Sequence, residues 1–529
     1  MDPRVVFSPS NVHKYLDRLN KSKTPGNDNI HPYVLREASS SFAAALSDLY
    51  IKSYESGELP AEWKVANVTP IFKKGSKSEP NNYRPVSLTS VVCKIMERMI
   101  RDVMMSYLIE NNLIYKGQHG FVPGKSCTTN LLETMDTITD AINKGYLVIL
   151  ILLDFAKAFD TVPHDELIGK LRAYGFDEHL VKWVENFLKN RKQRVVMGEI
   201  VTDWLEVLSG VPQGSVLGPL LFVIYINDMP DSVINLLKLF ADDTKLISII
   251  KCEEDLVRLQ QDLGTLSEWA SEWKMSFNHK KCKYMRIGNN ELAKQELKLT
   301  MSADNNEPHV LEETKEEKDL GVYLQNNLKW TANVDKACTK AYNSLGLLRK
   351  SFKTWTNVRT FRILYTAFVR PHLEYAPQVW NSLTSKDIKK LEKVQKRATK
   401  LVPQLRNLRY EERLLNLGLT TLADRRVRGD LIQMYKIRTG RNVIELISPS
   451  TSSNVESLQL GDGPASSVRN RRRSNIRVVK EFVKNCSVRE KFYSNRVVDP
   501  WNGLSNEIVE SNSVNHFKKQ YDRKKKELP

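Results

Sequence analysis

The sequence predicts an α+β fold, and three observations carry that reading. "YLVILILLD" (146–154) is one unbroken apolar run whose length and β-branched content suit a strand buried on both faces. "LLKLFADDTKLISII" (236–250) reads as two further strands joined by a tight turn at Ala241 to Asp243. Amphipathic helices surround them. The clearest is Glu253 to Trp273, where Leu256, Leu259, Leu263, Leu266 and Trp269 recur at helical spacing.

In chain order, residues 1–145 mix short amphipathic helices with Gly- and Pro-punctuated loops such as "NKSKTPGNDNIHP" and "IFKKGSKSEPNNYRP". Residues 165–190 read as helix, and "RKQRVVMGEIVTDWLEV" alternates as a hairpin. "SGVPQGSVLGPLLFVIYIND" passes from a Gly/Pro turn into an apolar helix starting near Ser215, a usable N-cap. From 331 to about 405 the chain is helical. There Ile388, Leu391, Val394, Ala398 and Leu401 form one stripe, and Lys389, Lys390, Lys393, Lys396, Arg397 and Lys400 fill the remainder. Such a basic face can lie along a phosphate backbone or simply be solvated. Residues 446–475 are Ser-rich, end in "RNRRRSN" and read as a flexible linker; 476–529 regain apolar residues and close on "DRKKKELP". The expected division is therefore 1–145, 146–330, 331–445, 446–475 and a basic C-terminal segment, 476–529.

At 529 residues the chain is too long for one ordinary core. Lys and Arg outnumber Asp and Glu by 80 to 62, a net +18 that suits a polyanionic partner such as nucleic acid, or else plain solubility. Six cysteines, at 93, 127, 252, 282, 338 and 486, form neither a CxxC pair nor a disulfide-like cluster, so reduced thiols in an intracellular protein are expected and zinc is not. The amino terminus lacks the basic-then-apolar order of a signal peptide. No apolar run approaches the roughly 18 residues that span a bilayer, so no membrane partner is expected.

Against this background the acids stand out. Asp242 and Asp243 sit inside an apolar stretch, where unpaired carboxylates are costly, and only Lys245 is close in sequence. Asp154 ends the other strongly apolar strand. Two such strands side by side bring the carboxylates to one sheet edge, where their mutual repulsion makes a site for hard divalent cations, Mg²⁺ first and Mn²⁺ as a substitute. A pair of such ions supports in-line phosphoryl transfer.

"LLDFAKAFDTVPH" (152–164), "GVPQGSVLGPLLFVIYIND" (210–228) and "FADD" (240–243), in this order, resemble motifs A, B and C of a reverse transcriptase palm. The version is that of LINE-type, non-LTR retrotransposons, close to the Jockey-like group. "TPGNDNI", "PIFKKG…NNYRPVSLTS" and "HGFVPGKSCTTNLL" resemble the finger motifs upstream, and "FNHKKCKYM" and "LGVYLQNNLKW" resemble motifs D and E. The resemblance runs from about residue 20 to at least 400. It implies a right-hand polymerase of fingers, palm with antiparallel sheet and helical thumb, copying an RNA template from a DNA primer with dNTPs.

The resemblance also distributes roles. Asp154 and Asp242 would bind both metals, and Asp243 would join them or tune the site. Phe159 would be an aromatic gate excluding a 2′-hydroxyl, or core packing of "AKAF". Gln213 and Gly214 would meet the incoming nucleotide, or form a helix-entry turn. Lys73, with Lys74 as a substitute, and Arg84 would neutralise triphosphate oxygens. Lys281 would protonate the pyrophosphate leaving group, with Lys280 and Lys283 leaving its register open. His119 and His372 read as loop or core histidines. Nothing before "TPGNDNI" resembles the endonuclease domain with which the family's reading frames commonly begin, so nicking is expected in trans, with target-primed work in the nucleus and the cytoplasm as a second location. Two rival readings are a catalytically inactive or domesticated nucleic-acid-binding remnant, and a group II intron maturase; the "SVLGPLLF" wording weighs against the second.

Overall fold

The structure is a computed structural model that describes residues 1–302, 308–352, 357–447, 477–484 and 486–527. The expected linker, from residue 448 onward, lies outside the described residues.

Two five-stranded sheets organise the first two-thirds of the chain. The strands are β1 (Val65–Phe72), β2 (Tyr83–Leu88), β3 (Leu147–Leu153), β4 (Arg191–Met197), β5 (Ile200–Val201), β6 (Leu205–Val207), β7 (Leu236–Phe240), β8 (Asp243–Ile250) and β9 (Lys283–Ile287). β10 (Thr300–Ser302) and β11 (Pro308–Val310) pair as a small ribbon; β12 (Glu312–Glu313) follows, and β13 (Glu316–Asp319) and β14 (Val322–Gln325) form a hairpin. The first sheet has the order β2-β1-β4-β5, with β6 also on β4. Because β1 and β4 pair in parallel, this sheet joins residues 65–88 to 191–207 across the boundary expected at 145. The second has the order β12-β9-β3-β8-β7; β9, β3, β8 and β7 are mutually antiparallel, and β12 adds to the edge in parallel.

β3 is the spine of the second sheet, and its apolar run explains why. Leu147, Ile149, Ile151 and Leu153 enter one core, which they share with the helices Val91–Glu110, Gly218–Tyr225 and Glu253–Glu272. Val148 and Leu150 point the other way, into a second core with Leu131, Leu132, Met135 and Ile138 of the Cys127–Asn143 helix. A strand clothed on both faces has no need of polar alternation, which is the pattern "LVILILL" shows.

Two helices begin or end differently from their sequence expectation. The 165–190 stretch is two helices, His164–Ala173 and Glu178–Leu188, separated at Gly175 in the left-handed region (φ 78°). Asp177 restarts the second by accepting from the His179 and Leu180 N–H groups at 2.8 and 3.3 Å. The apolar helix expected near Ser215 starts at Gly218, because Pro219 fits only its first turn. Ser215 still serves it: its Oγ accepts from the Gly218 N–H at 2.9 Å.

The helices that follow, from Thr331–Ser351 to Leu422–Arg438, build the second core, and residues 477–527 return to it. On the Ser385–Thr399 helix Leu391, Val394 and Ala398 are buried while Lys389, Lys390, Lys393, Lys396 and Arg397 are exposed. Phe517 stacks on Tyr435 at 4.6 Å. Arg489, wholly buried, pairs with Asp136 of the Cys127–Asn143 helix at 2.6 Å and with Glu481 at 2.8 Å. Asp136 Oδ2 also accepts from the Ile447 N–H at 2.5 Å. All six cysteines are free. Among the described residues, no helix is long and apolar enough to cross a membrane.

Breaking a buried pair on one side strands the other charge. Arg489→Leu is therefore expected to destabilise the chain by about 3–5 kcal/mol, measured as a lower denaturant midpoint, whereas Lys480→Leu, at an exposed pair with Asp499, changes it by roughly 0–1 kcal/mol.

Candidate active site

The site begins with strand register. β3 pairs antiparallel with β8 so that Leu153 faces Thr244, which puts Asp154, the next residue, beside the Asp242–Asp243 turn. That turn is short: β7 ends at Phe240, β8 starts at Asp243, and Ala241 takes a left-handed φ of 54°. Beyond Asp154 the chain pairs with 276–278: the Ala156 N–H donates to Ser276 O (2.8 Å), the Asn278 N–H donates to Asp154 O (2.7 Å), and Phe155 stacks on Phe277. The turn at Asn278 then returns Lys281, whose Nζ donates to Asp154 Oδ2 at 2.5 Å. Of the lysines that left the register open, Lys281 meets the acid; Lys283, on β9, faces Glu312 and Glu317.

The three carboxylates feel one another. Burial pushes Asp242 up from the usual carboxylate range, as does Asp154, while Arg84 and Lys73 pull it down. Asp243 reaches the surface, but crowding by the surrounding chain, then repulsion from Asp242, Asp319 and Asp154, pushes it up to about 6. Lys245, the nearby cation in sequence, relieves Asp243 only in part: it is buried and bound to Asp319 at 2.7 Å, tying β8 to the end of β13. Two mutually repelling carboxylates without a bonded cation among the described residues are the donor chemistry a hard divalent ion satisfies. The third carboxylate carries the Lys281 ammonium instead, and among the described residues no group of three or more His, Cys, Asp or Glu side chains converges as a ready metal cage. The donor types fit Mg²⁺, with Asp154 available once Lys281 moves aside.

The other predicted residues arrive from the first sheet and the 209–214 loop. Lys73 and Arg84 belong to one hairpin: the Lys73 N–H donates to Asn82 O (2.8 Å), and Arg84 lies opposite Ile71. Both are exposed, and both act on Asp242. Gln213 donates through Nε2 to Asp160 Oδ1 at 3.0 Å, and its carbonyl accepts from the Ser87 N–H of β2 at 2.7 Å. Gly214 has φ 124°, and a Cβ there would lie 2.4 Å from Ser87 O; the close approach the glycine permits is to the β2 backbone. Phe159 is half-buried, stacked on Phe222 at 4.6 Å and met edge-on by Phe121 at 6.5 Å. It thus packs against two other rings while staying part exposed.

A cleft of about 840 Å³ lies between the first sheet and this loop, with Val68, Tyr83, Val195, Lys77, Lys157 and Gln213 among its walls. None of the three acids lines it; Asp160 and Gln213 do.

Sequence reasoning missed the braces. Glu97, fully buried, accepts from the Val216 and Leu217 N–H groups at 2.6 and 3.0 Å and holds the entry to the Gly218–Tyr225 helix. Its one signal is a lone acid inside the apolar "KIMERMI". Gln118 and the Glu133–His119–Lys238 cluster support the acid turn from behind. His119 is a core histidine, bonded to Thr129 Oγ1 at 2.8 Å and Glu133 Oε2 at 3.2 Å.

Residues 71–324 match the family model described as reverse transcriptase (RNA-dependent DNA polymerase). Relatives from Drosophila melanogaster include the probable RNA-directed DNA polymerases from transposon BS (27% identical, covering 72% of this chain and 43% of that protein) and from transposon X-element (26%; 76% and 44%). The RNA-directed DNA polymerase from mobile element jockey is 28% identical over 54% of this chain and 32% of its own length. The chain thus spans less than half the length of the curated relatives it matches. The matched stretch takes in all three acids and every strand of the two sheets except most of β1, and it is similar to the reverse transcriptase region of the RNA-directed DNA polymerases of LINE-type transposons.

Proposed function

We propose that the protein copies a LINE-type transposon RNA into DNA at the Asp154–Asp242–Asp243 edge, extending a DNA primer with dNTPs. The observation that carries this reading is the register that gathers three carboxylates at the β3–β8 edge, within electrostatic reach of the β1–β2 hairpin, so that Asp154 raises Asp242 while Arg84 and Lys73 lower it. Acids and cations acting on one site suit a triphosphate whose metal side and free-oxygen side need opposite partners.

A bound pair of Mg²⁺ or Mn²⁺ ions would supply Lewis-acid activation there, with Asp154, Asp242 and Asp243 as ligands. The chain's own residues do the remainder. Arg84 and Lys73 bind phosphate oxygens, one as a fork and one as a point charge. Phe159 closes the space below the sugar, held upright by Phe222. Gln213, fixed by Asp160 and β2, shapes the entry to the cleft, which we assign to the template strand. Lys281 leaves Asp154 when the site fills and donates a proton to the departing pyrophosphate. In the same proposal fingers, palm, thumb and a basic C-terminal segment follow in chain order, with β4 to β6 joining the finger sheet across residue 145; priming is at nicked target DNA in the nucleus, and nicking comes from an endonuclease acting in trans.

Primer extension on RNA with dNTPs and Mg²⁺ is the direct test. Asp154→Asn and Asp242→Asn should each cut incorporation by roughly 10³-fold, equivalent to several kcal/mol of transition-state stabilisation, while RNA binding persists. Salt-sensitive RNA binding with no incorporation by the unaltered protein would instead favour the binding-only reading. Phe159→Ala should relax sugar selection, raising ribonucleotide use relative to dNTPs by at least roughly tenfold in single-nucleotide assays.

The Asp243 carboxyl adds a pH prediction. Its folded-state value near 6 lies above the ordinary 3.8, so the folded chain holds more proton than the unfolded one between those values, and ionisation costs stability as pH rises through that window. Asp243→Asn should therefore raise the melting temperature in EDTA by about 2 °C at pH 7.5 and leave it unchanged at pH 3. Mg²⁺ should stabilise the unaltered protein more than the variant.

A further inference from the structure

The turn that carries Asp242 is held by a residue with no assigned role. Ala241, one residue before the acid, is buried and left-handed (φ 54°), a conformation that an L-residue keeps only when its surroundings impose it. The two-residue hairpin loop between Phe240 and Asp243 calls for a positive φ at that position. A loop from the other side of β7 holds it there: Gly117–Gly120 runs parallel to β7, with the His119 N–H donating to Leu239 O (2.8 Å) and the Leu239 N–H donating to Gly117 O (2.9 Å). At its tip the Gln118 side chain, fully buried, turns back so that Oε1 accepts two N–H groups, from Gly120 at 2.7 Å and Ala241 at 3.1 Å. A Cβ at Gly120 would lie 2.3 Å from Ala241 N, so the loop presses directly on the turn.

The loop is itself anchored. His119 bonds Thr129 and Glu133, and Glu133, held down to about 2 by those bonds and by Lys238 once burial is overcome, also receives the Lys238 ammonium of β7. Asn130 Nδ2 donates to Leu239 O at 3.0 Å. The same loop reaches the nucleotide side, where Phe121 meets Phe159 edge-on at 6.5 Å.

We propose that Gln118 is a positioning residue: its carboxamide oxygen fixes the left-handed Ala241 peptide and thereby aims the Asp242 carboxylate. The catalytic part of this inference rests on the polymerase reading; the structural part does not, and the experiment separates them. Gln118→Met keeps the volume and removes the acceptor, Gln118→Asn keeps an amide but withdraws its oxygen by one methylene, and Thr129→Val cuts the His119 anchor while leaving Oε1 on Ala241. Hydrogen exchange of the peptide spanning 236–243, read by mass spectrometry in EDTA, should speed up at least about tenfold in both Gln118 variants and remain slow in Thr129→Val. In primer extension the Gln118 variants should lose about tenfold in kcat with the dNTP KM within roughly twofold, and Thr129→Val should lose stability without that kcat loss. Wild-type exchange and kcat in Gln118→Met or Gln118→Asn would overturn the proposal, as would Thr129→Val matching them in both readouts. If Gln118→Met does not fold, Gln118→Asn decides. An inactive unaltered protein sinks the polymerase reading, and the exchange result still judges Gln118.

Discussion

Everything at this site depends on how β3 registers on β8. With Leu153 opposite Thr244, the last apolar residue of one strand stands level with the first residue after the paired acids of the other. A slip of one residue would turn every β3 side chain to the opposite face. Both faces of β3 are buried in separate cores, so both resist the slip. The register at the acids is thus enforced by apolar packing on residues outside the acid cluster, which lets the acids themselves be electrostatically unhappy.

That unhappiness has a defined shape. Asp242 and Asp243 are left to repel each other, Asp154 is quieted by Lys281, and Lys245 is withdrawn to Asp319. A lysine set between the paired acids would neutralise the mutual repulsion that keeps Asp243 raised. The buried pairs elsewhere, Arg489 with Asp136 and Glu133 with Lys238, sit on one helix, Cys127–Asn143, which lies behind the sheet. Buried ion pairs add little net stability, but they specify which surfaces meet. Here they specify how the later helices and the C-terminal segment seat against the sheet that carries the acids.

Much of this was legible in the sequence for one reason: elements buried on both faces, or ending abruptly in an acid, leave a pattern in the residues themselves. "LVILILL" and "LLKLFADD" announced the strands, and their terminal acids announced the site. What could not be read was long-range. Nothing in "GQHGF" says that Gln118 will accept from Ala241, some 120 residues on. Nothing in "KIMERMI" says which N–H groups Glu97 will cap. The parallel pairing of β1 with β4, which carries the first sheet past residue 145, is equally silent, because a parallel neighbour comes by a crossover that no local turn signals. Gly214 was visible as a needed glycine, but the backbone it admits is that of Ser87.

The Asp136 carboxylate has one more implication. One of its oxygens takes the Ile447 N–H and the other takes Arg489, so a single carboxylate on the Cys127–Asn143 helix tethers both the stretch that ends at Ile447 and the C-terminal segment. Two segments that share one partner lose their attachments together, so the effects of substituting them are not additive.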